Sequence, residues 1–348
     1  MCAVRSIYSE TEARARRRYN TVMLAMLAML IGITLSSFMV GYYPLSLGEV
    51  LRAFAWQFGY QGEVLPQAVT IFWRIRLPRI LAAVLIGASL SSAGCVYQGM
   101  FRNPLVSPDI LGVSSGASFG AALAIINGLP GWGIQLSAFV GGALAVTLAY
   151  IISRKSAHSQ TLSLVLTGMM IMALANAGVT MIKYIANPND VLQQVMFWLM
   201  GSLAKVTMDG LGWSAFPMLA GLVVVIALRW RVNILTLDEE EAASLGVNVK
   251  RSRLVFIVFS TLLSAAAVCL GGLIGWVGLM VPHMARALVG PCHSRLLPTC
   301  AMLGAIFLVV MDAIARSLLS LELPLGVVTN VLGAPFFVYL IIKRKERR

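Results

Sequence analysis

Asp312 and Arg316 stand four residues apart in the apolar stretch Met311-Asp312-Ala313-Ile314-Ala315-Arg316. That spacing puts them on one face of a helix, where carboxylate and guanidinium can pair. Ionisable groups inside a lipid-crossing segment carry a functional reading by default, and the alternative is a self-neutralising structural bridge. Covalent chemistry has little to work with. No GxxxxGKS or GxxxxGKT, HExxH or GxSxG sequence stands in a workable context, so the chain offers no nucleotide-hydrolysing site of its own and no catalytic residues. The three histidines, His158, His283 and His293, are too scattered for a metal site and read as polar caps at the ends of apolar blocks. The five cysteines, Cys2, Cys95, Cys269, Cys292 and Cys300, show no CxxC or paired spacing and read as small core residues. Scarcity of buried acids other than Asp312 disfavours a proton- or sodium-coupled carrier, and the lack of a nucleophile and base pair disfavours a membrane enzyme.

The elements that position these groups are helices in lipid. Of 348 residues, 59% are hydrophobic and 12% charged, far from the roughly 45–50% and 25% of soluble domains. The apolar residues gather in blocks near the roughly 20 residues a spanning helix needs. Spans are expected at about 21–42, 71–99, 106–126, 131–152, 161–184, 212–228, 254–270, 273–289, 297–320 and 324–342. The net charge of +13 does not indicate nucleic acid, because the basic residues cluster at block ends: Arg14, Arg16, Arg17 and Arg18, then Arg154 and Lys155, Arg229 and Arg231, Lys250, Arg251 and Arg253, and the run from Lys343 to the end. With both termini cytoplasmic, most Lys and Arg fall on the inner side. Arg74, Arg76, Arg79 and Arg316 are the outer exceptions, with snorkelling at the headgroups as the bland account. A short interfacial helix is expected at 196–203, and glycines inside the spans (31 in the chain) predict tight helix packing.

Residues 233–247 are too polar to cross lipid. Thr236 with Glu239 fits a capping box, acids at 238–241 favour a helix N-terminus, and Gly246 fits a stop. Two short helices lying across the cytoplasmic face are expected, with Ile234, Leu235, Leu237, Ala243 and Leu245 as apolar contacts; a solvated acidic loop is the alternative.

The chain resembles the FecCD-type permeases, membrane subunits of type II ABC importers for ferric siderophores, haem and cobalamin. Carrying the likeness are Arg76-Leu77-Pro78-Arg79, Gly99-Met100-Phe101-Arg102-Asn103-Pro104-Leu105, Leu111-Gly112-Val113-Ser114, residues 237–247, Gly278-Leu279-Met280-Val281-Pro282-His283, residues 312–316, Leu323-Pro324-Leu325-Gly326-Val327-Val328-Thr329 and Leu332-Gly333-Ala334-Pro335, in order from about residue 40 onward.

The resemblance implies a single all-α domain, a bundle of ten transmembrane helices in a bacterial or archaeal cell (inner) membrane. It has a basic cytoplasmic N-terminus (1–20) and tail (343–348). It further implies a homodimer whose pathway runs along the two-fold axis, lined mainly by the fifth and tenth spans. Two ATP-binding subunits would hold the ATP and magnesium, leaving this chain without a cofactor. A periplasmic or lipid-anchored substrate-binding protein would deliver the cargo. Residues matching the family's coupling segment are Leu235, Leu237, Asp238, Glu239, Glu240, Ala243, Leu245 and Gly246. Those matching its docking arginines are Arg76, Arg79 and Arg316. Asn103 and Thr161 match the cytoplasmic gate, with helix N-capping as an alternative. The expected cargo is an iron(III) chelate, a siderophore or haem, with cobalamin or a metal oxyanion as the alternative.

Overall fold

The structure, a computed structural model, describes residues 2–60, 62–155, 160–319 and 322–345. Among them there is no strand. The helices are α1 (Cys2–Ser37), α2 (Leu47–Trp56), α3 (Pro66–Thr70), α4 (Leu77–Met100), α5 (Val113–Ile126), α6 (Gly131–Ser153), α7 (Gln160–Ile185), α8 (Val191–Met200), α9 (Met208–Ala227), α10 (Arg229–Leu235), α11 (Glu239–Ser244), α12 (Val249–Gly271), α13 (Val277–Val289), α14 (His293–Ser317) and α15 (Leu325–Lys345). Among the described residues seven helical stretches are long and apolar enough to cross a membrane, and α5, α13 and the Leu325–Phe336 part of α15 are shorter apolar helices. At about 1.5 Å per residue, the 13 residues of α13 span roughly 20 Å, less than a ~30 Å hydrocarbon core. The non-helical stretch at 272–276 makes up part of the distance, opening on Gly272 at φ +70° and closing on Trp276 at φ +69°.

Burial separates centre from periphery. In the spanning windows, 83% of Pro66–Met100 and 72% of α12 are buried, against 28% of α7 and 11% of α1. The centre is built from α4, α12, α13 and α14, and glycines set its spacing. A Cβ on Gly87 would lie 2.1 Å from the carbonyl oxygen of Gly304 in α14, and one on Gly94 would lie 1.8 Å from that of Gly278 in α13. Backbone therefore touches backbone at both crossings, the close approach that small residues allow where lipid supplies no hydrophobic drive. Ser91 joins the first contact, donating to the Gly87 carbonyl at 2.7 Å and to the Cys300 carbonyl at 2.8 Å.

The helix carrying the three-arginine stretch is irregular at its start. Residues Ile71–Arg76 form a π turn, closed by the Leu77 N–H reaching back five residues to the Phe72 carbonyl. Only Leu77 separates it from Pro78, which lacks the N–H that a continuous helix would use there.

Several boundaries differ from those expected. Helix α1 starts well before residue 21, the third span becomes a 3-10 turn (Pro108–Leu111) followed by α5 from Val113, and the short helix expected at 196–203 is α8. Helix α2 was not foreseen. Ser46 and Glu49 cap it reciprocally, the Ser46 backbone N–H donating to the Glu49 carboxylate at 2.7 Å and the Glu49 N–H to Ser46 Oγ at 3.3 Å. Cys95, Cys269 and Cys300 are buried as expected, whereas Cys292 is exposed.

Candidate functional site

Two constellations stand at opposite ends of α4, whose 24 residues measure roughly 36 Å. At its N-terminal end lies a buried charge cluster. Arg79 Nε donates to Asp312 Oδ1 at 2.7 Å, and Arg316 Nε lies 3.0 Å from Asp312 Oδ2 as a charge contact. The Asp312 side chain is 1% exposed, so one carboxylate serves two guanidiniums away from water. Arg79 Nη1 also reaches Glu322 Oε2 at 2.8 Å, and that glutamate is 44% exposed. Arg316 Nη2 donates to Ser37 Oγ at 2.6 Å, its Nη1 to the Val40 carbonyl at 3.2 Å, and Arg76 donates to the carbonyls of Phe38 and Tyr43. Arg76 and Arg316 thus lock the end of α1 and the chain after it onto the start of α4 and onto α14, while Arg79 ties α4 to α14 through Asp312.

The spacing of Asp312 and Arg316 did produce the expected pair. It is not self-contained, because Arg79 enters from 233 residues away. Nor do Arg76, Arg79 and Arg316 stand as open docking side chains: they are 4%, 3% and 5% exposed and bonded within the chain. Arg74, two residues earlier, is exposed. Here Glu322 is the one carboxylate of the cluster that reaches solvent.

At the other end of α4, α10 and α11 form a ledge. Asn233 bolts it to α14: its Oδ1 accepts the His293 N–H at 2.7 Å, its Nδ2 donates to Ser294 Oγ at 3.1 Å, and His293 Nδ1 lies 3.2 Å from the same Oδ1. That contact makes His293 the polar helix-end residue expected of it; His158 lies outside the described residues. The expected capping box of Thr236 and Glu239 is not formed. Thr236 is the C-cap of α10 and donates to the Asn233 carbonyl at 2.6 Å, leaving Asp238 as N-cap of α11 with no side-chain cap bond. The box fails on position: α11 begins two residues later than the motif requires, so Thr236 closes α10 and does not open α11. Gly246, at φ +74°, follows α11 as the expected stop.

Of the residues expected to contact a partner here, Leu237, Ala243 and Leu245 face solvent, as do Asp238, Glu240 and Gly246. Leu235 does not: it is 3% exposed and anchors the ledge to the bundle. The side chain of Glu239 lies outside the described set, as does that of Thr161 at the start of α7. Asn103 is exposed in the α4 to α5 connection, where its Oδ1 accepts the Leu105 N–H at 2.9 Å in a tight local turn.

Arg102 was not singled out by its sequence context, yet the structure ties it to the corner between α10 and α11 by three polar contacts. It donates to the carbonyls of Leu235 (3.5 Å) and Leu237 and to the Asp238 carboxylate. Its own backbone is left-handed, at φ +51°. A positive φ outside glycine is uncommon, but no pattern of residue types announces it.

Among the described residues no group of three or more His, Cys, Asp or Glu could hold a metal ion. The large apolar faces of α7 and α15 are uncovered, with Met170 64%, Leu174 70% and Val331 64% exposed.

Comparison with known proteins bears on the family. The model of the FecCD transport family matches residues 27–343. A molybdate import system permease protein of Haemophilus influenzae is 37% identical, covering 94% of this chain and 97% of its own length. A cobalamin import system permease protein of Halobacterium salinarum is 40% identical over 80% of this chain and 75% of its own. An iron chelatin transport system permease protein of Helicobacter pylori is 38% identical over 81% and 86%. A solved structure, described as an inward-facing conformation of a metal-chelate type ABC transporter, superposes with a TM-score of 0.84 at 37% identity, covering 93% of this chain and 99% of that one.

Proposed function

The chain belongs to the FecCD transport family and is a multi-pass permease subunit of an ABC importer, with ATP hydrolysis carried by a separate subunit; we propose that its cargo is an iron(III) chelate handed over by a substrate-binding protein. The proposal extends to a homodimer in the cell (inner) membrane with both termini cytoplasmic. Its pathway runs between the uncovered faces of α7 and α15 and the same faces of a second copy. The ledge of α10 and α11 meets the ATP-binding subunit, and the arginine cluster lies under the binding protein.

The observation that carries this arrangement is the ledge. Leu237 and Leu245, 37% and 60% exposed, flank the short helix α11 in a segment too polar for lipid, and α10 before it is fixed to α14 by Asn233. Exposed leucines on a rigid, water-facing element suit a protein partner better than solvent. Leu237, Asp238, Glu239, Glu240, Ala243, Leu245 and Gly246 are therefore proposed as the contact surface and Leu235 as its anchor. Asn103 and Thr161 remain the proposed cytoplasmic gate, and Arg76, Arg79 and Arg316 the proposed support of the docking face.

Support for an iron chelate comes from the iron chelatin permease and the metal-chelate transporter among the relatives. A second reading, molybdate, is favoured by the match that spans nearly the whole of both chains. The cognate binding protein decides between them by calorimetric titration with a ferric siderophore, haem, cobalamin and molybdate. The iron reading predicts tightest binding of a ferric chelate or haem; tighter binding of molybdate or cobalamin overturns it.

A further inference from the structure

Resting on the reading that the ledge meets the ATP-binding subunit, we propose that Arg102 is the positioning residue that transmits movement of α11 to the loop of the proposed gate.

Leu235 ends α10, so its carbonyl is among those a helix leaves without an intrahelical partner. Leu237 and Asp238 form the corner between α10 and α11. Arg102 engages all three at once: two backbone carbonyls and the carboxylate of Asp238, the residue that opens α11 and makes no cap bond of its own there. Only the forked, planar guanidinium can bind several oxygens in a fixed relation; an ammonium is a point donor on a flexible stem.

The other end of the linkage is the loop itself. Arg102 is two residues past the end of α4 and adjacent to Asn103, whose N–H is tied to the Gln98 carbonyl at 3.1 Å. Its left-handed backbone sets the loop's exit from α4. A shift of α11 under a partner's push thus pulls on the backbone immediately before Asn103, with one side chain between them.

Stability does not account for this arrangement. The Arg102 and Asp238 side chains are 40% and 78% exposed, and exposed ion pairs contribute little. A left-handed non-glycine residue detracts from stability. What the contact supplies is geometric connection.

The test uses the full permease assembled with its ATP-binding subunit in nanodiscs, with Cys2 and Cys292 replaced by serine. Leu105→Cys, at a position 65% exposed in the loop, and Leu245→Cys, at a position 60% exposed on the ledge, report through their rates of reaction with a maleimide. With Arg102 present, adding ATP, magnesium and vanadate changes the rate at position 105. Arg102→Ala and Arg102→Gly are expected to abolish that change while the ATP-binding subunit still shields position 245. Glycine suits the left-handed backbone, so Arg102→Gly removes the guanidinium without adding strain and is expected to keep the thermal midpoint of the parent. The same nucleotide response at 105 in both variants overturns the proposal, as does a parent with no response or an Arg102→Gly protein that fails to fold. If position 245 is not shielded even in the parent, the ledge reading fails first and the inference with it.

Discussion

At the scale of the residue, the arginine cluster turns on one carboxylate. Asp312 lies between Arg79 and Arg316 with 1% of its side chain exposed, in a region where water cannot take over its role. Replacing one member of a buried ionic group leaves the others uncompensated, at a cost of about 3–5 kcal/mol. Asp312→Asn keeps the shape and removes the charge, so it is expected to lower stability by that amount in a denaturant titration of the purified permease. A loss under about 1 kcal/mol would show that water or backbone carbonyls already satisfy both guanidiniums. Glu322 is a different case. Half exposed, it caps Arg79 from outside, and such a pair contributes about 1 kcal/mol or less. If the binding protein places a carboxylate on Arg79, Glu322 competes with it. Glu322→Gln is then expected to leave the fold intact and tighten docking a few-fold, read by surface plasmon resonance against immobilised permease; unchanged affinity would remove Arg79 from the docking face. The spacing of Asp312 and Arg316 was legible because helix geometry fixes it locally. Arg79 joining them was not, since no local pattern reports a contact across 233 positions.

At the scale of the element, the long apolar helices were legible because composition alone decides them in lipid. The ledge was legible because acids and a glycine stop stand out between greasy blocks. What was missed has separate local causes. Helix α2 is short and amphipathic, and its capping pair reads in sequence like any polar loop; α10 follows α9 with only Leu228 between, so its start is invisible to hydropathy. The capping box at Thr236 failed because α10 runs on to Leu235 and α11 starts only at Glu239, which makes Thr236 a C-cap, a shift of boundary that a motif cannot express. Glycine content did forecast close packing, and the structure shows where it matters. At Gly94 a Cβ would sit 1.8 Å from a backbone oxygen of α13, which cannot rotate away as a side chain could. Gly94→Ala must therefore push α4 and α13 apart. A loss of about 1–3 kcal/mol is the usual scale of overpacking, and a lowered melting midpoint in detergent is expected. Gly212, with nothing within 4 Å of its would-be Cβ, provides the control, since alanine there should not move the midpoint downward.

At the scale of the whole molecule, α4 and α14 join both ends. Helix α14 begins at the ledge, where Asn233 holds His293, and runs to the arginine cluster through Asp312 and Arg316; α4 runs the opposite way from Arg79 to the loop of Arg102. Glycine contact and the Ser91 hydrogen bonds knit the two helices between those points. Side chains at either end can nevertheless be changed separately, because the exposed ones make few contacts with this core. Leu245→Asp lies on the ledge surface, where substitutions usually stay within about 0.5 kcal/mol, so the fold should persist. The aspartate would place a charge where the proposed contact presents a leucine. Co-purification of the ATP-binding subunit is expected to fall, while docking of the substrate-binding protein at the far end stays at the parent level. Glu322→Gln should give the reverse pattern, altered docking with unchanged retention of the ATP-binding subunit. Loss of both partners in either variant would mean that the two ends do not act as separate surfaces joined by a rigid helix pair. Full retention of the ATP-binding subunit by Leu245→Asp would take the ledge out of that contact and leave α10 and α11 as a covering of the bundle's end.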